Sequence, residues 1–271
     1  LSSGANTYTG NTTISAGKLS ITPVADSSNE SRITSPRYSI SSGATLEYNN
    51  PSLTAINLRN NVLYTGQGTL SKIGVGQISW GHEAATFTLG SGSLIDVQQG
   101  TLVGGSNANE NWVSNFSNLN IASGATFKGV EAAIRIDALT GAGTLSTGLA
   151  GFTNAGITMG VNNTQAGIYN SAGSATFTGV ITNSSASNPG KIIKNRSGTQ
   201  ILGGVNTYTG TTTISAGTLS VTGTLGSGTY SGNIVNSGTL VMGSSSSQTL
   251  SGVVSGTGAL TKSGSGTLTL S

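Results

Sequence analysis

Apolar and polar residues alternate along most of this chain in short runs that are interrupted by glycine. In the segment TTTISAGTLSV, for example, Ile214, Leu219 and Val221 alternate with serine and threonine. A period of two and a high content of β-branched residues are typical of β-strands. Gly217 interrupts the pattern where the chain has to turn, because glycine adopts positive φ without steric cost. The pattern therefore predicts short strands joined by tight turns.

No segment shows the 3.6-residue period of an amphipathic helix. The nearest candidate, GVEAAIRIDAL at residues 129–139, alternates Ile134 and Ile136 with Arg135 and Asp137. That alternation favours a strand as well. The sequence therefore predicts an all-β fold.

The chain also repeats itself over long distances. The sequence NTYTGNTTISAGKLS starts at Asn6, and NTYTGTTTISAGTLS starts at Asn206. Between them, a cadence of glycine, a small residue and Leu or Phe recurs at intervals of roughly 18–27 residues, the size of one solenoid turn. Units this short cannot bury an apolar face alone, so they are expected to stack on one another.

These repeats predict one parallel β-helix of about 10–12 rungs, in which stacked turns share a continuous core. We expect a right-handed helix, because parallel crossovers within one sheet strongly prefer that hand. Regular repeats at 1–37 and 202–271 flank a degenerate middle at 38–201, all within one domain spanning 1–271. The chain starts and ends within a repeat, so we expect it to be part of a longer secreted protein. Two alternatives stay open, an antiparallel sandwich of short strands and two separate β domains.

Composition adds constraints on the surroundings and partners of the chain. Only 7% of the residues are charged, so serine, threonine, asparagine and glycine must form the surface, which suits a secreted bacterial protein. The net charge is +3, but the densest basic cluster is only Lys191, Lys194 and Arg196. Nucleic acid is therefore not an expected partner, since it needs a concentrated basic surface. No apolar run approaches the roughly 18 residues of a membrane span, so membrane insertion is not expected either.

The repeated segment NTYTGTTTISAGTLSV resembles the autotransporter-associated β-strand repeat of bacterial passenger regions and large secreted repeat proteins. The resemblance covers residues 6–21 and 206–221, and more loosely SGTGALTKSGSGTLTLS at 255–271. It implies a right-handed β-helix that is secreted or held at the bacterial cell surface. It implies no chemistry, because the repeat serves as a scaffold.

The rarer side chains lie in the degenerate middle, above all in the segment 78–112. This segment starts with ISWGHE and ends with SNANENW, in a chain that is only 5% aromatic. An indole ring presents a flat apolar face for stacking on a sugar, while amides and acids bind the sugar hydroxyls. We therefore predict a carbohydrate site on one face of the helix, formed by Trp80, Trp112, His82, Glu83, Asn109 and Glu110. The alternative interpretation is that both tryptophans fill the core.

Catalysis is not expected from this sequence. Glycoside hydrolysis needs carboxyl groups within about 5–10 Å of each other, and the eight acidic residues are scattered without a paired motif. The alternative is that stacking of turns brings Glu83, Asp96, Glu110 and Asp137 together. Arg135 beside Asp137 suggests either a lyase pair or a salt bridge. His82 is the single histidine and the chain has no cysteine, so we expect no metal site, cofactor or catalytic triad.

The leading functional hypothesis is a non-catalytic carbohydrate-binding module that recognises an extended plant polysaccharide. The middle of the chain resembles the β-helical xylan-binding modules of gut bacterial xylanases, which implies xylan as ligand and a covalently linked glycoside hydrolase. The alternative hypothesis is a structural or adhesive passenger fragment of a bacterial autotransporter or surface adhesin. In that case the terminal repeats are the main feature and the tryptophans have no binding role.

Overall fold

A computed structural model describes residues 9–24, 30–32, 35–59, 61–80, 85–104, 111–129, 133–147, 156–160, 173–184 and 189–271. Over these residues the chain forms 31 β-strands and one short 3₁₀ turn at Gly226–Gly228. Within the same ranges, no helix has the length and hydropathy needed to cross a membrane. All pairings between the described strands are parallel, from the first coil to the last. The predicted parallel β-solenoid is confirmed, and the antiparallel sandwich is excluded.

The longest sheet, here called the long sheet, takes one strand from each of eleven successive coils. Its strands are β2 (Lys18–Ile21), β5 (Thr45–Asn49), β8 (Thr69–Ile73), β11 (Leu94–Val97), β13 (Asn118–Ile121), β16 (Leu139–Gly141), β19 (Ser174–Phe177), β22 (Thr199–Leu202), β24 (Thr218–Val221), β27 (Thr239–Met242) and β30 (Ala259–Lys262). Eleven coils agree with the predicted number of rungs. The handedness of the coil stays a prediction from the crossover preference.

Two sheets precede the long sheet in the coil path and follow each other along the solenoid. The four-stranded sheet contains β1 (Thr12–Ile14), β4 (Arg37–Ile40), β7 (Val62–Gly66) and β10 (Ala85–Leu89). The six-stranded sheet contains β15 (Ala133–Ile136), β18 (Gly156–Met159), β21 (Lys191–Lys194), β23 (Thr212–Ile214), β26 (Ile234–Asn236) and β29 (Val254–Ser255).

Two further sheets follow the long sheet in the coil path. The seven-stranded sheet contains β3 (Glu30–Arg32), β6 (Ile56–Arg59), β9 (Gln77–Ser79), β12 (Thr101–Val103), β14 (Thr126–Gly129), β17 (Thr144–Thr147) and β20 (Val180–Asn183). The three-stranded sheet contains β25 (Thr229–Tyr230), β28 (Gln248–Leu250) and β31 (Leu268–Leu270). Most coils therefore contribute three strands, and the solenoid has three sides.

The core forms because the strands stack in register, so that like side chains lie above one another. In the long sheet, Leu46, Leu70, Ile95 and Leu119 occupy the same register position in four successive coils. All four are buried. Neighbouring strands are about 4.8 Å apart, so each aliphatic side chain packs directly on the next. Burying one such side chain contributes about 1.5–3 kcal/mol.

Tight corners between the sides depend on glycine at a few positions. Gly217 has φ 67, in the left-handed region, as its place in the sequence pattern predicts. A Cβ atom there would also overlap the backbone carbonyl oxygen of Arg196 in the preceding coil. Both the conformation and the close approach therefore exclude other residues.

Two lysines stabilise corners from inside the solenoid. The Nζ of Lys72 donates hydrogen bonds to the carbonyl oxygens of Ile73, Gly74 and Gln99, at 2.8, 2.7 and 3.1 Å. Gln99 belongs to the next coil, so the ammonium group links two coils. Burial lowers the pKa of Lys72 to about 8, against an ordinary value of 10.5.

Lys194 makes the same arrangement at a different corner. Its Nζ donates to the carbonyl oxygens of Asn195 and Arg196, and more weakly to that of Ala216 at 3.3 Å. Burial lowers the pKa of Lys194 to about 8, although Asp137 opposes this shift. Because Lys194 is buried, it adds nothing to the small basic surface cluster expected from the sequence.

Candidate functional site

Both predicted sugar-stacking residues lie inside the solenoid. Trp80 and Trp112 have 0% and 1% of their surface exposed. The Nε1 of Trp80 donates to the Tyr64 hydroxyl at 2.9 Å, and the Nε1 of Trp112 donates to the Gly104 carbonyl at 2.8 Å. Their apolar faces and their polar atoms are both satisfied within the chain. The expectation that these rings are exposed on a sheet face is therefore corrected, and the alternative interpretation as core residues holds.

The rings form an internal ladder that runs along the four-stranded sheet. Tyr38, Tyr64, Phe87 and Trp112 lie in successive coils, each nearly parallel to the next ring. The centroid distances along this ladder are 5.9, 5.3 and 4.0 Å, with interplanar angles of 11°, 17° and 19°. Offset and edge-to-face aromatic pairs contribute about 0.5–1.5 kcal/mol each beyond their buried area. We call these four residues the aromatic ladder.

Other aromatic rings pack edge-on against the aromatic ladder. Trp80 meets Phe87 edge-on at 5.1 Å, and Phe127 meets Trp112 edge-on at 6.1 Å. The hydroxyls of Tyr48 and Tyr64 share a hydrogen bond of 2.9 Å. The aromatic residues of the middle region thus pack against and hydrogen-bond to one another, as core residues do. Their faces are not presented to a ligand.

The remaining four residues of the predicted carbohydrate site are His82, Glu83, Asn109 and Glu110. All four lie outside the described residues. Their membership of a site stays a prediction, but the two rings that were to anchor the sugar are not available to them.

The acidic residues that the structure describes do not form a paired catalytic motif. Asp96 lies on the outer face of the long sheet, where its two oxygens accept hydrogen bonds of 2.8 Å from Gln98 and Asn120. Asp137 is buried at the end of β15, and its charge acts on Lys194. Among the described residues, no group of three or more His, Cys, Asp or Glu side chains is placed to hold a metal ion.

A shallow groove lies on the carboxy-terminal half of the solenoid. It has a volume of about 290 Å³ and is lined by Pro189, Lys191, Thr209, Gly210, Thr211, Ser231, Gly232 and Asn233. Gly210 and Gly232 both pack so closely on the preceding coil that an added Cβ atom would overlap one of its carbonyl oxygens. Lys191 is its one charged residue, and none of the lining residues is aromatic. The groove therefore offers no aromatic surface on which a sugar ring would stack.

Comparison with known proteins places passenger-type repeats at three places in the chain. Residues 1–21, 192–221 and 260–271 match the family described as the passenger-associated-transport-repeat. Neither a curated protein nor a solved structure gives a match. The resemblance to autotransporter repeats is confirmed for these segments, whereas the resemblance to xylan-binding modules has no such support.

The sequence does contain a signal for the aromatic ladder. Its members are separated by 26, 23 and 25 residues, which is one coil in each case. Residues that lie one coil apart occupy the same register position in successive coils. Their side chains therefore lie on the same side of the sheet. The intervals of Tyr38, Tyr48 and Tyr64 considered alone do not reveal this, since Tyr48 lies on the long sheet.

We expect the folded protein to lose stability steeply above pH 10.5. Burial raises the pKa of Tyr48, Tyr64 and Tyr230 well above the ordinary value of 10, and that of Tyr208 to about 12. An unfolded chain ionises its tyrosines near pH 10 and thus binds fewer protons than the folded chain above that pH. The stabilisation is complete below pH 10 and is lost as the pH rises towards 12.

Urea unfolding at pH 10.5, 11 and 11.5, followed by circular dichroism, measures this loss. Lys72 and Lys194 act in the opposite direction at the lower end of this window, because their pKa is about 8 in the fold whereas a lysine of the unfolded chain, with an ordinary pKa of 10.5, still holds part of its proton. The loss of stability at the two higher pH values therefore reports the tyrosines. Tyrosinate absorbance of the folded protein should lag behind that of the protein in urea. Equal titration curves for folded and unfolded chain, with no loss of ellipticity, would contradict the buried tyrosine network.

Proposed function

We propose that this segment is a non-catalytic structural stalk in the passenger-type part of a bacterial protein, located outside the cell. One observation carries the proposal: the aromatic side chains that a glycan site would need are built into the core. The passenger-type repeats at residues 1–21, 192–221 and 260–271 support an extracellular or surface location.

The outer surface also suits a rod that has no specific ligand. On the long sheet, Thr199, Thr218 and Thr239 stack in register on the outward side. Threonine pairs across strands stabilise a sheet and keep its outer face hydrated without charge. Such a surface repeats over these three successive coils, which favours length over a single recognition site.

The carbohydrate-binding hypothesis loses its physical basis with the burial of Trp80 and Trp112. Xylan recognition and a covalently linked glycoside hydrolase stay predictions of the sequence alone. Affinity electrophoresis against xylan, β-glucan and pectin tests them directly, and we expect none of the three to retard the wild-type chain. Specific retardation by any of them would restore the binding-module hypothesis.

A deletion of one whole coil provides a positive test of the stalk. Removing residues 219–239 joins Thr218 to Leu240, which lies directly beside Leu219 in the parallel register. The remaining coils keep their inward and outward positions, so we expect a folded protein that is shorter by about 4.8 Å. Removing residues 219–238 instead shifts the register by one residue and should unfold the carboxy-terminal coils.

Display on a bacterial surface tests the role itself. The chain is placed between an amino-terminal epitope and a heterologous autotransporter translocator, and antibody and protease access to the epitope are measured on intact cells. We expect the wild type and the 219–239 deletion to expose the epitope equally. Failure of the wild type to reach the surface, while a known passenger does so in parallel, would overturn the proposal.

A further inference from the structure

One outward column of the long sheet is polar over six successive coils. Leu46 and Ile95 point into the core, so the next residues along their strands, Glu47 and Asp96, point outward. We call the six residues that strand register places in line here the outer polar column: Ser20, Glu47, Ser71, Asp96, Asn120 and Thr140. The whole chain has only eight acidic residues, and two of them lie in this column, two coils apart.

Glu47 has one charged partner. Its Oε2 lies 2.7 Å from the Nζ of Lys18, and its Oε1 accepts a hydrogen bond of 2.9 Å from the hydroxyl of Ser20. Both partners belong to the preceding coil. Lys18 therefore compensates the charge of this carboxylate.

Asp96 has only neutral partners in the part of the chain that the structure describes. Its Oδ1 accepts from the Nδ2 of Asn120 and its Oδ2 from the Nε2 of Gln98, each at 2.8 Å. No lysine or arginine within the described ranges forms an ion pair with it. Two carboxylates and one ammonium group, that of Lys18, thus leave one negative charge on the column.

Ser71 lies between the two acidic residues and interrupts the hydrogen bonds of the column. It pairs in register with Glu47 on one side and with Asp96 on the other. Only 3% of its surface is exposed, and its Oγ has no hydrogen-bond partner among the described residues. Since buried polar atoms normally have a partner, the hydroxyl indicates a ligand at this place.

We propose that Glu47, Ser71 and Asp96 bind one calcium ion on the outer face of the long sheet. Calcium takes six to eight oxygen ligands, including carboxylates and water, so the shortage of histidine and cysteine in this chain does not bear on it. A carboxylate has about four acceptor positions, of which each of these two uses two in the fold. Both acidic residues therefore have capacity left for an ion, and the ion supplies the missing partner of the Ser71 oxygen.

The spacing of the coils suits the size of this ion. Neighbouring strands are about 4.8 Å apart, which puts Glu47 and Asp96 about 9.6 Å apart at the backbone. Calcium–oxygen bonds of about 2.3–2.6 Å require oxygens about 5 Å apart on opposite sides of the ion. Each carboxylate has to lean towards Ser71 by about 2.3 Å, which rotation of its side chain provides. Magnesium, with bonds of about 2.0–2.1 Å and a strict octahedral geometry, fits this spacing less well.

Titration calorimetry of the chelator-treated chain with calcium chloride tests the site. We expect one calcium ion to bind with a dissociation constant of about 1 mM, as in other extracellular calcium modules, and magnesium to bind at least tenfold more weakly. At 10 mM calcium the melting temperature should rise by about 3 °C over that in EDTA, with sodium chloride added to equal ionic strength.

Two variants distinguish this site from other places where calcium could bind. Asp96→Asn keeps the size of the side chain but removes its charge, and should weaken calcium binding at least tenfold. Ser71→Ala should weaken it about fivefold, yet in EDTA it should melt at the wild-type temperature or above, because the buried hydroxyl that it removes has no partner. Ser220→Ala, in the same register line but in a coil whose neighbours on the long sheet carry no acidic residue, should bind calcium like the wild type.

Three results would overturn the proposal. The first is a wild type that gives neither binding heat nor a higher melting temperature with calcium. The second is calcium binding that survives unchanged in both Asp96→Asn and Ser71→Ala, which places the ion elsewhere in the chain. The third is magnesium binding as tight as that of calcium.

Discussion

Replacing Trp112 with alanine is expected to destabilise the protein by about 3–5 kcal/mol, the cost of emptying a large buried aromatic site. The indole stacks on Phe87 at 4.0 Å and meets Phe127 edge-on, so its loss leaves a cavity between two rings. The carbonyl of Gly104 also loses its donor. Urea unfolding followed by circular dichroism measures the change.

Two further variants separate packing from hydrogen bonding at this position. Trp112→Phe keeps a ring on Phe87 but not the donor to Gly104, so it should cost less than Trp112→Ala. Leu53→Ala, at a residue that is 86% exposed, should change the free energy of unfolding by less than about 0.5 kcal/mol. If Trp112→Ala unfolds like the wild type and instead abolishes binding to a polysaccharide, Trp112 is a ligand-binding residue after all.

Replacing Gly204 with alanine is expected to cost about 1–3 kcal/mol or more, because it forces an extra methyl group into a packed corner. A Cβ atom there would overlap the carbonyl oxygen of Gly179 in the preceding coil, so two coils have to move apart. Gly204 has no positive φ, so the expected loss arises from stacking alone. The melting temperature and the urea midpoint of the Gly204→Ala variant, compared with the wild type, measure this loss of stability.

Gly90 supplies the matched control. An added Cβ at Gly90 would meet a side-chain carbon of Gln67 at 3.4 Å, which is ordinary contact, and Gly90 also lacks positive φ. Gly90→Ala should therefore be neutral or slightly stabilising, since alanine restricts the unfolded chain more than glycine does. Equal destabilisation by the two substitutions would show that coil spacing does not determine which corners need glycine.

The architecture is predictable from the sequence because it depends on a repeated local pattern. Ile214, Leu219 and Val221 alternate with polar residues, and only stacking on similar units buries the face that they share. Gly217 was placed at its turn by the same pattern. The intervals of the cadence also approximate the length of one coil, since Leu46 and Leu70 pair in neighbouring strands of the long sheet.

The candidate site was harder to predict, because a tryptophan in a strand pattern fits either side of a sheet. Trp80 and Trp112 follow glycine-rich, polar segments, a pattern that favours a surface position. Their spacing relative to Phe87 and Tyr64 carries the opposite information, since it places Trp112 one coil beyond Phe87. The residue type alone does not show whether a tryptophan faces into or out of the solenoid, whereas its spacing from other aromatic residues does.

Buried lysines were the other feature that alternation could not reveal. Lys72 and Lys194 occupy positions where an apolar side chain is expected, and they are accommodated because corner carbonyls point inward. Both corners share a three-residue motif, in which the lysine is followed two residues later by a residue with left-handed backbone conformation. That residue is Gly74 with φ 77 after Lys72, and Arg196 with φ 60 after Lys194. This motif is recognisable only when the corner geometry is known.

The central claim is that this chain keeps its indole rings inside a stalk, and intrinsic fluorescence tests it most directly. Trp80 and Trp112 are the two tryptophans of the chain, so the emission reports on them alone. We expect blue-shifted emission that acrylamide quenches weakly, that xylan leaves unchanged, and that shifts to the red upon unfolding in urea. Native emission already at the unfolded wavelength, strongly quenched by acrylamide and protected by xylan, would contradict the account.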